Sequence, residues 1–401
     1  MRRALALVVL AASSSNCTFV NLKRDVARAA KTAYVSGALE GDLDPAAPMF
    51  LVHLVGEKKR AIQRLTPVLP EFVLLMKLGE QNSIEAFQDL DGDEIYDPGE
   101  PCAFVPRVEG LESFGVAPLD LEPLKLERTC ALPVTLDLSR ARPSQGGTVG
   151  EVVPLSDPRY DEERVSEGVW TPLRATTKGG YGLHFLEAHK PGRLPVLFIH
   201  GISGSPRNFS ELVEHVDRTK FEPWVAYYPS GVRLPVLSQI LAGLLVRAKE
   251  TYGVERVFIV AHSMGGLIAR AAIQHLADRG EAQLVAGLLT LATPWGGHAS
   301  AGVALDRAPE AVPSWIDIAP DSRFLKSLEK PLPPGIPFFL FFTVGGRTSR
   351  YDENNDGVVF VQSELVRWAQ DQATKVVGFD EGHMSLLKSA EVEAKLWPLV
   401  K

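Results

Sequence analysis

Six apolar runs in the second half of the chain limit its possible folds more than any other feature. LPVLFIHG (194–201), PWVAYY (223–228), VFIVA (257–261), LVAGLLTLA (284–292), PFFLFFTV (337–344) and KVVGF (375–379) are continuous, not alternating. A strand without a polar face must be buried on both sides. Helical segments separate most of these runs. Ser205-Pro206 opens one with Phe209, Leu212, Val213 and Val216 on its apolar face; others run 234–252 up to Gly253, 264–278 up to Gly280, and onward from about 384. Strands and helices alternating in this way build a doubly wound, mostly parallel sheet with helices on both faces, so residues 171–401 are expected to form one α/β domain.

The first part of the chain has a different pattern. MFLVHLV (49–55), FVLLM (72–76) and SIEAFQD (83–89) lie between Gly, Pro and charged clusters, which predicts a small all-β, sandwich-like module over 31–140. With 401 residues, 45% hydrophobic and 23% charged, the chain has room for two such globular domains. Residues 141–170, containing SQGG and PLSDPRYDEER, read as a linker. Lys and Arg number 42 against 49 Asp and Glu, a net charge of -7. A nucleic-acid partner, which demands a basic surface, is excluded on that balance.

Within the β module, Asp89, Asp91, Asp93, Asp97 and Glu100 fall at relative positions 1, 3, 5, 9 and 12 of one loop. Carboxylates so spaced can converge on a structural calcium ion, as in an EF-hand loop, although Glu94 occupies the position where such a loop carries Gly. Five carboxylates without a counter-ion would repel one another; an acidic hairpin turn facing water is the other reading.

The N-terminus has the layout of an export signal over 1–16: Arg2 and Arg3, then an apolar stretch from Ala4 to Ala12, then small residues. The stretch is too short to span a bilayer. With Cys17 next, it resembles a bacterial lipoprotein signal in which the cysteine becomes the acylated N-terminus, with Ser14 where such signals carry Leu. Residues 17–30 would then be a tether. In a plain secretory signal cut near Ala12, Cys17 would be incidental. Export permits oxidation, so Cys102 and Cys130 are a candidate disulfide, or else two buried thiols.

The run VFIVA ends in Ala261-His262-Ser263-Met264-Gly265 and passes directly into a helix-forming segment. A serine there can be a simple N-cap. It can also be a nucleophile on a strand-to-helix bend so tight that the residues two before and two after it must be small, as Ala261 and Gly265 are. The string A-H-S-M-G-G resembles the elbow of the α/β-hydrolase superfamily, in particular bacterial lipases and esterases, over about residues 170–401.

The resemblance implies a triad in the chain order serine, acid, histidine. Downstream of Ser263 it points to Asp356, in a D-G-x-V setting, with Asp352 and Glu353 as nearby competitors, and to His383, in G-H-x-x-L-L. The loop His200-Gly201-Ile202-Ser203-Gly204 is similar to the family's H-G-x-x-G loop, making the Ile202 and Met264 amides the implied oxyanion donors. Residues 294–336, rich in Pro and Gly, are expected to form a lid or cap over the site.

The implied activity is hydrolysis of carboxylic esters, with lipid acyl esters or small esters as substrates, through an acyl-enzyme and without a catalytic cofactor. An acyltransferase or glycolipid deacylase would use the same residues. A surface-binding protein with an inactive hydrolase domain is the reading from another class. Membrane association through the N-terminal lipid anchor, in a bacterial cell envelope, or secretion follows from the signal.

Overall fold

The computed structural model describes residues 17–401 apart from 66, 68, 69, 114–118, 134, 141–147, 309 and 346–353. The signal over 1–16 and the competitors Asp352 and Glu353 lie outside the described residues, as does the side chain of Cys17. The chain divides into two compact units, Ala27–Gly146 and Met1–Val26 with Gly147–Lys401.

In the first unit, strands β1 (Thr32–Gly41), β2 (Met49–Val55), β3 (Lys58–Leu65), β4 (Glu71–Lys77), β5 (Asn82–Gln88), β6 (Cys102–Val105), β7 (Leu119–Asp120) and β8 (Leu124–Leu126) form two sheets. One has the order β4-β1-β7, with β8 also paired to β1; the other is β3-β2-β5-β6. A core of Val35, Leu74, Met49, Leu51, Ile84 and Ala86 joins the two sheets. The opposite face of β2 contributes Phe50, Val52 and Leu54 to a second cluster with Phe87, Tyr96 and Leu136. Buried on both sides, β2 is therefore a continuous apolar run. Cys102 and Cys130 are disulfide-bonded, with Cα atoms 5.5 Å apart.

The second unit is built on β9 (Thr148–Val152), β10 (Gly182–Phe185), β11 (Leu194–Ile199), β12 (Phe221–Tyr227), β13 (Val257–His262), β14 (Val285–Leu291), β15 (Phe338–Thr343) and β16 (Lys375–Phe379). They pair in the order β16-β15-β14-β13-β11-β12-β10-β9. Pairing is parallel throughout except between β10 and β12. Every residue of β13 and β14 is buried. On one face Phe198, Val260, Leu289 and Phe341 pack with Phe209, Leu212, Leu386 and Leu396 from the flanking helical segments. Long helices Leu234–Tyr252 and Met264–Asp278 complete the α/β arrangement.

Two expectations need correction. Residues 148–170 are not a linker, since β9 extends the sheet and is followed by the helix Glu162–Trp170. β9 is a short edge strand of only half-buried or exposed residues, and so has no apolar run to announce it. The anchor of this segment is Tyr160, fully buried, with its hydroxyl 2.7 Å from His184 Nδ1. Nor are residues 17–30 a loose tether. They form the helix Cys17–Ala29, whose Leu22 packs with Val169 and Val312. Asp25 is buried and accepts hydrogen bonds from the Leu173 and Arg174 amides at 2.9 and 3.1 Å, capping the helix Pro172–Lys178. A cap of this kind contributes about 1 kcal/mol.

The segment 294–336 folds into three short helices, Ala299–Arg307, Pro313–Ile318 and Arg323–Ser327. Asp317 ties the middle one to Arg233 and to the Leu234 amide, each at 2.8 Å. Arg270, fully buried, donates to the carbonyls of Leu328 and Lys330 at 2.7 and 2.9 Å and lies over the ring of Trp368.

Candidate active site

Ser263 stands between β13 and the helix Met264–Asp278 with φ 54° and ψ −130°. A non-glycine residue in that region costs on the order of 1–3 kcal/mol and persists only where its surroundings enforce it. The enforcement is visible here. A Cβ on Gly265 would lie 2.5 Å from the carbonyl oxygens of Ile199 and His200, and one on Gly266 would lie 2.1 Å from Thr293 Oγ1. A Cβ on Gly201 would approach Ser263 Cβ to 2.8 Å. The Ser263 amide donates to Leu291 O at 2.8 Å, and Ser263 O accepts from Gly266 N at 3.0 Å. Strand and helix are thus packed so closely that only the serine can yield, and it yields into left-handed backbone.

Asp356 and His383 follow β15 and β16 in the chain, and the two parallel strands are neighbours in the sheet. That adjacency brings residues 27 positions apart together, with His383 Nδ1 2.5 Å from Asp356 Oδ2. The His383 amide donates to Asp356 O at 2.9 Å. The carboxylate is held from several sides. Oδ1 accepts from the Val358 and Val359 amides at 2.9 and 2.7 Å, and Oδ2 also accepts from Thr343 Oγ1 at 3.1 Å. Burial alone would raise the Asp356 pKa, but the hydrogen bond and charge of His383, then the two amides, outweigh it and hold the group below the usual carboxylate value.

His262, beside the serine in sequence, turns toward His383. Its Nε2 lies 2.8 Å from His383 O, and the two rings are 4.7 Å apart. A carbonyl only accepts, so Nε2 carries the proton. Burial first, then the neighbouring His383, push the His262 pKa down to about 3. It is a neutral donor that fixes the backbone of the candidate base. The sequence contained this residue in plain view, but its partner lies 121 positions away.

No described hydrogen bond involves Ser263 Oγ. A serine–histidine contact is often loose in the resting state of such sites and tightens on binding. The Ile202 and Met264 amides donate to no acceptor among the described residues. The loop bearing Ile202 is held from several sides. Ser203, at φ 54°, donates its amide to Ser230 Oγ at 3.1 Å, and the Tyr228 hydroxyl donates to His200 O. The Tyr228 ring stacks on His200 at 4.1 Å. A mainly apolar cavity of about 90 Å³ lies between His298, Val303 and the acid-bearing loop at Val358 and Phe360.

In the β module, Asp89, Asp91 and Asp93 bring carboxylate oxygens within 4.8 Å of one another. Asp97 is exposed, whereas buried Glu100 accepts from the Leu90 and Asp97 amides at 2.7 and 3.0 Å. The loop therefore gathers three of the five expected carboxylates.

Comparison with known proteins adds three findings. Residues 234–326 match the family model described as a PGAP1-like alpha/beta domain, a span that includes Ser263 but neither Asp356 nor His383. No curated protein matches the chain. Among solved structures, the mature lipase BlEst2 of Bacillus licheniformis is 19% identical with a TM-score of 0.42, covering 54% of this chain and 95% of its own. The metagenomic carboxyl esterase MGS0156 is 13% identical with a TM-score of 0.40, covering 49% and 66%. MGS-MChE2, an alpha/beta hydrolase enzyme from the sediment metagenome of the Mar Chica lagoon in Morocco, is 16% identical with a TM-score of 0.36, covering 54% and 93%. The strand order, the serine bend and the family-model match define the class of the second unit: it has the α/β-hydrolase fold.

Proposed function

We propose that this protein is a serine hydrolase of carboxylic esters, acting on lipid acyl esters. The observation that carries the proposal is the buried His383–Asp356 pair, 2.5 Å apart, in the same unit as a serine held in strained backbone at the head of a helix. Ser263 Oγ attacks the ester carbonyl as His383 Nε2 takes its proton. Asp356 holds Nδ1–H and stabilises the imidazolium. The Ile202 and Met264 amides receive the negative oxygen, each worth about a hundredfold or more in turnover. His383 returns the proton to the departing alcohol, and water then releases the acid by the same route. For this sequence to run, His383 Nε2 must reach hydrogen-bonding distance of Ser263 Oγ once substrate is bound.

A fluorophosphonate probe is expected to label the folded protein at Ser263, and Ser263→Ala to abolish labelling. A folded protein that stays unlabelled would return the reading to a non-catalytic binding protein. A p-nitrophenyl ester panel from acetate to palmitate then separates lipase from short-chain esterase.

Export and acylation of Cys17 belong to the same reading. Metabolic labelling with palmitate is expected in the intact chain and lost in Cys17→Ser; an unlabelled intact chain discards the anchor. A calcium ion on Asp89, Asp91 and Asp93 would be structural, with no part in the reaction. A melting temperature that calcium does not move discards it.

A further inference from the structure

A second carboxyl lies against the His383–Asp356 pair, and the mechanism above does not use it. Glu364 ends the short helix Val361–Glu364 and is 1% exposed. Its Oε2 accepts the Thr343 amide at 3.2 Å, while the hydroxyl of the same threonine donates to Asp356 Oδ2 at 3.1 Å. One residue at the end of β15 thus grips both carboxyl groups and holds them together.

The other oxygen, Glu364 Oε1, is buried, and no donor among the described residues reaches it. Among the described residues no cation pairs with Glu364. Arg367, the nearest arginine in sequence, is exposed and holds Asp371 at 2.8 Å. Among the described residues Asp356 is the charged group that acts on it; His383 is bonded to Asp356, and His298, from the segment before Ala299–Arg307, interacts with Asp356 and His383. An ionised Glu364 would set two carboxylates side by side with one oxygen unsatisfied, a costly arrangement in a buried site. A carboxyl that keeps its proton resolves both problems, because it carries no charge and offers a donor to the carboxylate that Thr343 holds next to it.

We infer that Glu364 is a neutral carboxylic acid that donates its proton in a hydrogen bond to the Asp356 carboxylate, acting as a positioning residue that keeps Asp356 ionised and aimed at His383. The electrostatics agree: burial first, then the charge of Asp356, raise the Glu364 pKa to about 10. The pair shares one negative charge through the neutral range.

The inference rests on the proposed triad, so its test needs a readout that does not depend on turnover. Carboxyl-carbon NMR of the protein labelled at glutamate Cδ supplies one, with the Glu364 signal assigned by its loss in Glu364→Gln. A signal at the protonated position at pH 7 supports the inference whether or not esters are cleaved; a signal at the carboxylate position overturns it. With an active enzyme, the pH dependence of kcat/KM gives the second readout. In Glu364→Gln the amide N–H replaces the O–H, its oxygen still accepts from Thr343, and the acidic limb should stay within about 0.3 pH unit. Glu364→Leu removes the donor, leaving Asp356 a stronger partner for protonated His383. Its acidic limb should move up by about half a unit or more, with kcat/KM about tenfold or more lower. A downward move of about one unit in Glu364→Gln would mean that a negative charge had been removed, and would overturn the inference. An unmoved limb in a folded Glu364→Leu would reduce the residue to packing and overturn it equally.

Discussion

Among the described residues, five other than glycine adopt positive φ, and two of them, Ser263 and Glu94, have opposite surroundings. Ser263, at φ 54°, is pinned by the carbonyls of Ile199 and His200 and by Thr293 through the two glycines that follow it. Glu94, at φ 64°, sits in the acidic loop of the β module, where a Cβ on Gly92 or Gly99 would meet nothing within 4 Å. The two strains are similar in kind, but only the first is enforced by neighbours that cannot move. Positive φ is a pointer to chemistry when the packing around it over-determines the conformation; in an open loop it reports local turn geometry.

The largest effect that would sharpen this contrast is on turnover. Ser263→Ala should lower kcat for an ester substrate by roughly 10⁴–10⁶-fold without loss of folding, measured by steady-state hydrolysis beside a melting curve. Residual activity near the wild-type level would mean that the strain at this bend serves something else.

Next is the enforcement itself. Gly265→Ala drives a methyl group into two buried backbone oxygens, those of Ile199 at the end of β11 and of His200 just after it, so the hydrolase unit should lose about 3 kcal/mol or more in urea denaturation. A variant that folds and works normally would break the comparison at its root.

Acidification should then act on the surroundings of the bend. His200 and His262 beside the bend, and His184 further along the sheet, are held neutral chiefly by burial, with folded values of about 4, 3 and 4 against 6.5 normally. Below pH 6.5 the unfolded chain binds protons that the folded chain refuses. Their stabilisation is therefore complete above that pH and is lost as the pH falls toward 4, at about 1.4 kcal/mol per pH unit for each extra proton. The hydrolase unit should show this slope between pH 6.5 and 4 in denaturant titrations. A flat profile there would mean that these histidines titrate freely when folded.

The smallest effect belongs to the open loop. Glu94→Gly relieves left-handed backbone at the expense of an exposed contact with Arg64, 3.8 Å long, and should stabilise the β module by about 0.5–1 kcal/mol. Destabilisation by a comparable amount would show that Glu94 is held as firmly as Ser263.

Much of the fold was legible because burial on both faces removes polar residues from a strand. MFLVHLV coincides with β2 residue for residue, and the apolar runs of the second unit each mark a strand of its sheet. Strands with one wet face were missed. β3, KKRAIQRL, carries four basic residues as the edge of its sheet, and β9 is a five-residue edge strand. β1, TAYVSGALEG, was obscured by Gly37, which is small because it pairs with Phe72, whose ring atom would lie 2.7 Å from a Cβ there. The helix of 17–29 was hidden for another reason: its apolar side is short, and its most telling residue, Asp25, is an acid buried as a cap on a helix almost 150 positions away.

Local chemistry decided a great deal without help from tertiary structure. Small residues around Ser263 permit the bend, and the apolar runs dictate a buried sheet, because sterics and desolvation act on neighbours in the chain. The tertiary structure alone decided that His262 serves His383 and that Glu364 lies against Asp356. Those roles come from pairs of groups brought together by strand order and depth of burial, and a residue's charge and hydrogen bonds are properties of the pair, which no stretch of sequence contains.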